Sequence, residues 1–100
     1  MSRIELAAQV VDDLDRIVQH LLDHESVDVA ARAGEIMRAI GVLEQNPRIG
    51  RPFRGSLREL VIGRGSRGYV ALYRYVPEVD IVFVLAIRGQ REVGYAHGLD

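Results

Sequence analysis

Between Asp80 and Arg88 the chain reads IVFVLAI, seven apolar residues in succession, of which four are β-branched. Too short for a helix of ordinary length and bounded by charge at both ends, such a run is expected to be a central strand covered on both sides. Tyr69 to Val76 (YVALYRYV) reads as its hairpin neighbour, joined to it by Pro77-Glu78-Val79-Asp80. Leu57 to Ile62 (LRELVI) reads as a further strand, followed by a flexible glycine-rich turn from Gly63 to Gly68. A sheet with an apolar strand at its centre needs a second layer, which the first half of the chain has to supply.

That half carries two amphipathic patterns. Val10, Val11, Leu14, Ile17, Val18, Leu21 and Leu22 recur at spacings of three and four, while Asp12, Asp13, Asp15, Arg16, Gln19, His20 and Asp23 fill the other face. Residues 28–45 repeat the pattern with Val29, Ala33, Ile36, Met37, Ile40 and Leu43. Asp28 is placed to cap this second helix, and Asn46-Pro47 ends it, because the residue before proline is driven out of the helical region. Only Glu25 to Asp28 separates the two, which predicts an antiparallel helical hairpin. Arg3 to Leu6 reads as a short first strand, and Arg48 to Ser56, with Gly50, Pro52 and Gly55, as a loop crossing from helices to sheet. A chain of 100 residues buries roughly 60–65% of its unfolded surface in one core, so residues 1–100 are expected to form a single domain. The expected class is α+β: an N-terminal α-hairpin packed on one face of a mainly antiparallel four-stranded sheet.

Pairing Val76 with Ile81 sets Leu72 opposite Leu85 and Val70 opposite Ile87. One face then collects the bulky aliphatic Val70, Leu72, Phe83, Leu85 and Ile87, and is expected to receive the helices. The other collects Tyr69, Ala71, Tyr73, Tyr75, Val82, Val84, Ala86 and Arg88, and is expected to stay open as a shallow groove. Arg74 is expected on the helical side, paired with the acidic first half. A slip of one residue would exchange these sides.

The net charge of −1 conceals an asymmetry. Up to Asn46 there are nine acids and four arginines; from Pro47 onward there are five acids and nine arginines. Between Arg48 and Arg74, seven arginines accompany a single acid, Glu59. Such a segment attracts an anionic partner, either nucleic acid or an acidic polypeptide. All 13 basic residues are arginines. Cysteine is absent, which removes disulfides, thiolate catalysis and cysteine metal sites. No apolar run reaches the roughly 20 residues of a membrane span, and MSRIELAAQ lacks the apolar core of a secretory signal. A cytoplasmic protein with no membrane partner is expected. His20 and His24 stand one helical turn apart without an HExxH context and read as an exposed polar face, so neither metal nor cofactor is expected.

In this order, a strand, a helical pair and an antiparallel sheet containing NPRIGRPFRGSLREL, RGYVALYRYV and IVFVLAIRGQREVGY resemble the RelE/ParE superfamily of type II toxin-antitoxin toxins. The resemblance spans nearly the whole chain. The wording of the last three segments is similar to ParE-type proteins, often described as plasmid stabilisation proteins. What the resemblance implies is a toxin neutralised in a hetero-oligomer by a cognate antitoxin encoded beside it, ParD-like and of ribbon-helix-helix pattern. It also implies one of two targets: ParE-like members inhibit DNA gyrase and hence replication, whereas RelE-like members cleave messenger RNA on the ribosome. An inactive member that only binds its antitoxin is the third alternative.

Cleaving RNA through its 2′-hydroxyl requires a base, an acid and cations for the phosphorane charge. Arginine, protonated up to about pH 12, supplies only the last. The nuclease pattern that the resemblance brings with it uses lysines as well as arginines, with an arginine and a tyrosine near the C-terminus. This chain has no lysine, and Val70 stands where that pattern has an arginine, although Arg91 and Tyr95 fall near the C-terminal pair. The leading expectation is therefore a gyrase inhibitor that acts by binding. In the nuclease alternative, the only one with direct nucleic-acid contact, the catalytic groups would be Arg58, Arg67, Arg91 and Tyr95. Residues expected to touch target or antitoxin are Arg58, Arg64, Arg67, Arg88, Arg91 and Tyr95, with Tyr69, Tyr73 and Tyr75 as further contacts or stacking platforms. His97 is a minor acid-base candidate.

Overall fold

The computed structural model describes residues 1–24, 28–92 and 94–95. The connection through residues 25–27, expected to turn the helical hairpin, lies outside the described residues, as does His97. The elements follow in the order β1 (Arg3–Leu6), α1 (Ala8–His24), α2 (Val29–Gly41), β2 (Arg51–Pro52), β3 (Leu57–Ile62), β4 (Tyr69–Val76) and β5 (Ile81–Gly89), with 3-10 turns at Val42–Glu44 and Gly65–Arg67. One mixed sheet is ordered β1-β5-β4-β3-β2, with β1 parallel to β5 and the other neighbours antiparallel. Five strands replace the expected four. Arg51 and Pro52, read as loop, pair with Glu59 and Arg58 as a two-residue edge. Periodicity is blind to a strand so short, and its proline sits where an edge tolerates one.

Both helices form where their patterns place them, but α2 ends at Gly41 and passes into the 3-10 turn Val42–Glu44 instead of running on to Asn46-Pro47, and Val11, Leu22 and Met37, expected on the apolar faces, are exposed. The Asp28 carboxylate caps α2 by accepting the Ala31 N–H at 3.1 Å, and α1 and α2 contribute Val10, Ile17, Leu21, Ile36 and Ile40 to the core. Asp13 departs from its expected place on the polar face of α1. It is 1% exposed, and its carboxylate accepts the Ile87 N–H at 2.8 Å and the Gln9 amide at 2.9 Å. A helix side chain thus ties α1 to the backbone of β5. Among the described residues no helix is long and apolar enough to cross a membrane.

The β4–β5 hairpin starts in the expected register, Val76 opposite Ile81 and Tyr73 opposite Val84. It then slips by one residue, so that Leu72 pairs with Ala86, Ala71 with Ile87 and Val70 with Arg88, leaving Leu85 as the extra residue of a bulge. The expected pairs Leu72–Leu85 and Val70–Ile87 do not form. Beyond the bulge Ile87 joins the side of Tyr69 and Tyr73, as a one-residue shift requires.

The expected choice of covered face is reversed. The helices pack on Tyr69, Ala71, Tyr73, Val82, Val84 and Ile87, whereas Val70, Leu72, Leu85 and Ala86 lie on the opposite side with Phe53, Leu57 and Tyr95. Arg74, between the inward-facing Tyr73 and Tyr75, is exposed on that opposite side and not under the helices. Side-chain bulk was the wrong criterion. Two successive antiparallel pairings make β3 parallel to β5 and therefore to β1, so the helices lie in the connection that leads from β1, by way of the short edge β2, to the parallel strand β3 of the same sheet. Such connections take one hand, and handedness selects the face on which the helices land. The buried phenol is satisfied there: Tyr73 Oη accepts the Gly50 N–H at 2.8 Å. A Cβ on Gly50 would come within 2.6 Å of the Tyr73 ring, so only glycine lets the loop approach.

Candidate functional site: an ionic face and an arginine groove

On the face turned away from the helices, β3 projects Glu59 beside Leu72 and Val70 of β4, its carboxylate 6% exposed. Three groups converge on it. Arg51, from the edge strand, donates through Nε at 3.1 Å and lies within 3.0 Å through Nη2. Arg88, at the end of β5, approaches to 3.8 Å. The Tyr95 hydroxyl donates to Oε2 at 2.6 Å. The Arg88 guanidinium also stands 5.1 Å from the Tyr95 ring centre, within cation–π range, and donates to the carbonyls of Gly89 and Glu92. Phe53 closes the cluster, edge-on to Tyr95 with 6.2 Å between ring centres. Burial, and then the hydrogen bond to Glu59, push the Tyr95 pKa well above that of an ordinary tyrosine, with Arg88 only partly opposing.

A second site lies on the helical side of the sheet, at the end of β5. A cavity of about 590 Å³ opens between α1, the start of α2, the β3–β4 turn and the end of β5. Arg16, Arg32, Arg67 and Arg91 line it over a floor of Ile17, Leu21 and Tyr69. Arg16 bonds to Glu92, and donates to the Ile87 carbonyl at 3.1 Å. Arg32 reaches the Arg67 carbonyl at 3.5 Å.

The residues singled out from sequence are thus divided. Arg88 and Tyr95 share the Glu59 cluster, while Arg67, Arg91 and Tyr69 share the groove. Arg58 is apart from both, donating to the carbonyls of Arg48 and Gly50 at 3.2 and 2.8 Å beside a smaller hollow of about 180 Å³ that Tyr75 also lines. Arg64 is exposed at the turn after β3. The tyrosines do not form an open platform: Tyr73 is 0% exposed, Tyr69 8%, and half-buried Tyr75 donates to Asp80 at 2.8 Å. Beneath the helices, Tyr73 has no ring face to offer a partner. Sequence reasoning missed Glu59, Arg51, Arg16 and Arg32 as site residues. Only Glu59 left a signal, as the single acid among the seven arginines from 48 to 74. His20 and His24 stack on one another, with ring centres 4.7 Å apart.

Two helices on a five-stranded mixed sheet, with a basic face and rim, are the architecture of the RelE/ParE fold. A family model described as ParE toxin of type II toxin-antitoxin system, parDE, matches residues 4–94, and the chain belongs to that family. Solved structures share the fold. The chromosomal ParDE system from P. aeruginosa superposes with a TM-score of 0.72 at 20% identity, over 89% of this chain and 96% of that one. The intact E. coli RelBE toxin-antitoxin complex gives 0.64 at 16% identity, over 93% and 100%. The RelBE2 complex from Mycobacterium tuberculosis gives 0.61 at 21%, over 91% and 93%. At such identities the likeness speaks for the fold alone. No curated protein matches the chain.

Proposed function

We propose that this toxin inhibits DNA gyrase by binding it in the cytoplasm, and that a ParD-like antitoxin of ribbon-helix-helix type holds it inactive in a hetero-oligomer. The observation that carries this reading is the committed state of the Glu59 cluster. A ribonuclease needs groups that exchange protons near neutrality. Here Glu59 is buried and engaged by two arginines and a phenol, and Tyr95 is held in its protonated form by burial and by that same carboxylate. The set required by the endonuclease alternative, Arg58, Arg67, Arg91 and Tyr95, is divided among three parts of the surface. What those parts have in common is permanently charged guanidinium groups, which suit docking to an acidic protein. Membership of the ParE family supports gyrase as the target, and the fold shared with the ParDE and RelBE systems supports an antitoxin partner.

Inducing the toxin while DNA and protein synthesis are followed separately is expected to stop DNA synthesis first, and the purified toxin should inhibit gyrase supercoiling. Immediate loss of translation with cleaved messages would overturn the gyrase reading in favour of the endonuclease. Loss of neither would leave a protein that only binds its antitoxin.

A further inference from the structure

Arginines line three places on this chain, and two of them carry a carboxylate of their own, Glu59 on the far face and Glu92 in the groove. The third does not. It is the hollow of about 180 Å³ where the β2–β3 turn meets the loop before β2, and no acid is among its lining residues. Arg48, Arg58 and Tyr75 line it together with the turn residues Gly55 and Ser56. Neither arginine takes part in an ion pair among the described residues.

Both cations are held in place by contacts that leave their charge unneutralised. Arg58 Nη1 donates to the carbonyls of Arg48 and Gly50, which fixes the guanidinium while Nε and Nη2 keep no described partner. The Arg48 guanidinium stands 5.0 Å from the Tyr75 ring centre, within cation–π range, and Tyr75 is itself tied through its hydroxyl to Asp80. The turn adds neutral donors. Leu57 N–H returns to the Arg54 carbonyl at 2.8 Å, a closure that takes Gly55 through a φ of 52°, where glycine is at no disadvantage. At its tip the N–H groups of Gly55 and Ser56 have no described acceptor, and the Ser56 hydroxyl stands beside them. Because the charged side chains are already immobilised, an anion that enters orders little more than itself.

We infer that this hollow binds a phosphoryl group, either as inorganic phosphate or as the terminal phosphate of a small monoester. The volume lies below the roughly 300–1,000 Å³ of pockets that enclose a whole organic ligand, so only a compact group enters and any ester substituent stays in solvent. Two guanidinium groups, a hydroxyl and two amides offer more donors than the two oxygens of a carboxylate take up. A phosphoryl group presents three strong acceptor oxygens, and arginine holds them by charge-assisted hydrogen bonds. The inference is independent of which target the toxin has.

The test is an NMR titration of the full chain at constant ionic strength with inorganic phosphate, glycerol phosphate and, as the carboxylate control, acetate. Phosphate is expected to move the Gly55 and Ser56 amide signals saturably and to raise the melting temperature. Arg48 is exposed, so Arg48→Gln should fold like the wild type, and it should bind at least about tenfold more weakly, as losing a hydrogen bond from a charged group does. Arg58→Lys keeps the charge but not the fork, and should also bind more weakly. Arg3→Gln, elsewhere on the surface, should bind like the wild type. Tighter binding of glycerol phosphate than of inorganic phosphate would uphold the site and assign it to an ester; the reverse would uphold it and assign it to the free ion. Acetate that moves the same signals with equal affinity would overturn the phosphoryl assignment. Shifts that never saturate, or that persist unchanged in Arg48→Gln, would overturn the site itself.

Discussion

On the helical side of the sheet, polar side chains meet backbone: Tyr73 holds the Gly50 N–H and Asp13 holds the Ile87 N–H, both sealed among aliphatic residues. On the far side, polar side chains meet one another, with Arg51, Arg88 and Tyr95 gathered on Glu59 and Arg88 Nε still without a described partner. The first arrangement fastens elements distant in sequence and leaves nothing for a partner to take. The second is a set of charges that a competing surface can draw away. Stability is concentrated under the helices, and contact potential on the opposite face and at the arginine-lined rim.

The contrast can be tested most severely at Tyr73. Tyr73→Ala is expected to cost about 3–5 kcal/mol, the range for truncating a buried aromatic, read as a lowered urea midpoint. A smaller loss than that of Tyr95→Ala would break the comparison. Next comes Asp13→Ala, which orphans the Ile87 N–H and is expected to cost about 1–3 kcal/mol. Hydrogen exchange should show faster opening at Ile87 while the β4–β5 turn is unchanged. Glu59→Gln keeps an acceptor for Tyr95 and removes only the charge, so a loss of about 1 kcal/mol is expected, shrinking as salt is added because Arg51 is largely exposed.

At neutral pH Tyr95→Phe is expected to cost no more than about 1 kcal/mol, and its pH dependence is diagnostic. The folded-state pKa of Tyr95 is raised above its ordinary value of 10.0. The stability it contributes is therefore fully present below pH 10 and is lost as pH climbs from there toward the folded pKa. Melting curves of the wild type and Tyr95→Phe should differ at pH 7 and converge in strong alkali. A constant gap would mean that the phenol is not held as described.

Much of this molecule follows from local pattern. Arg3–Leu6, Leu57–Ile62 and Tyr69–Val76 are the strands that alternation and composition indicated, Asp28 caps α2, and the order of segments pointed to the family to which the chain belongs. These features depend on neighbours within a few residues, where spacing is informative. What local pattern left undecided spans the sheet. Alternation divides Tyr73 from Leu72, but the crossover between β1 and β3 chooses which of them the helices cover, and the bulge at Leu85 exchanges sides beyond it. Glu59 gathers Tyr95 from 36 positions away and Asp13 reaches Ile87 across 74. No spacing rule extends over such separations, because these partners meet only once strand order has carried them together.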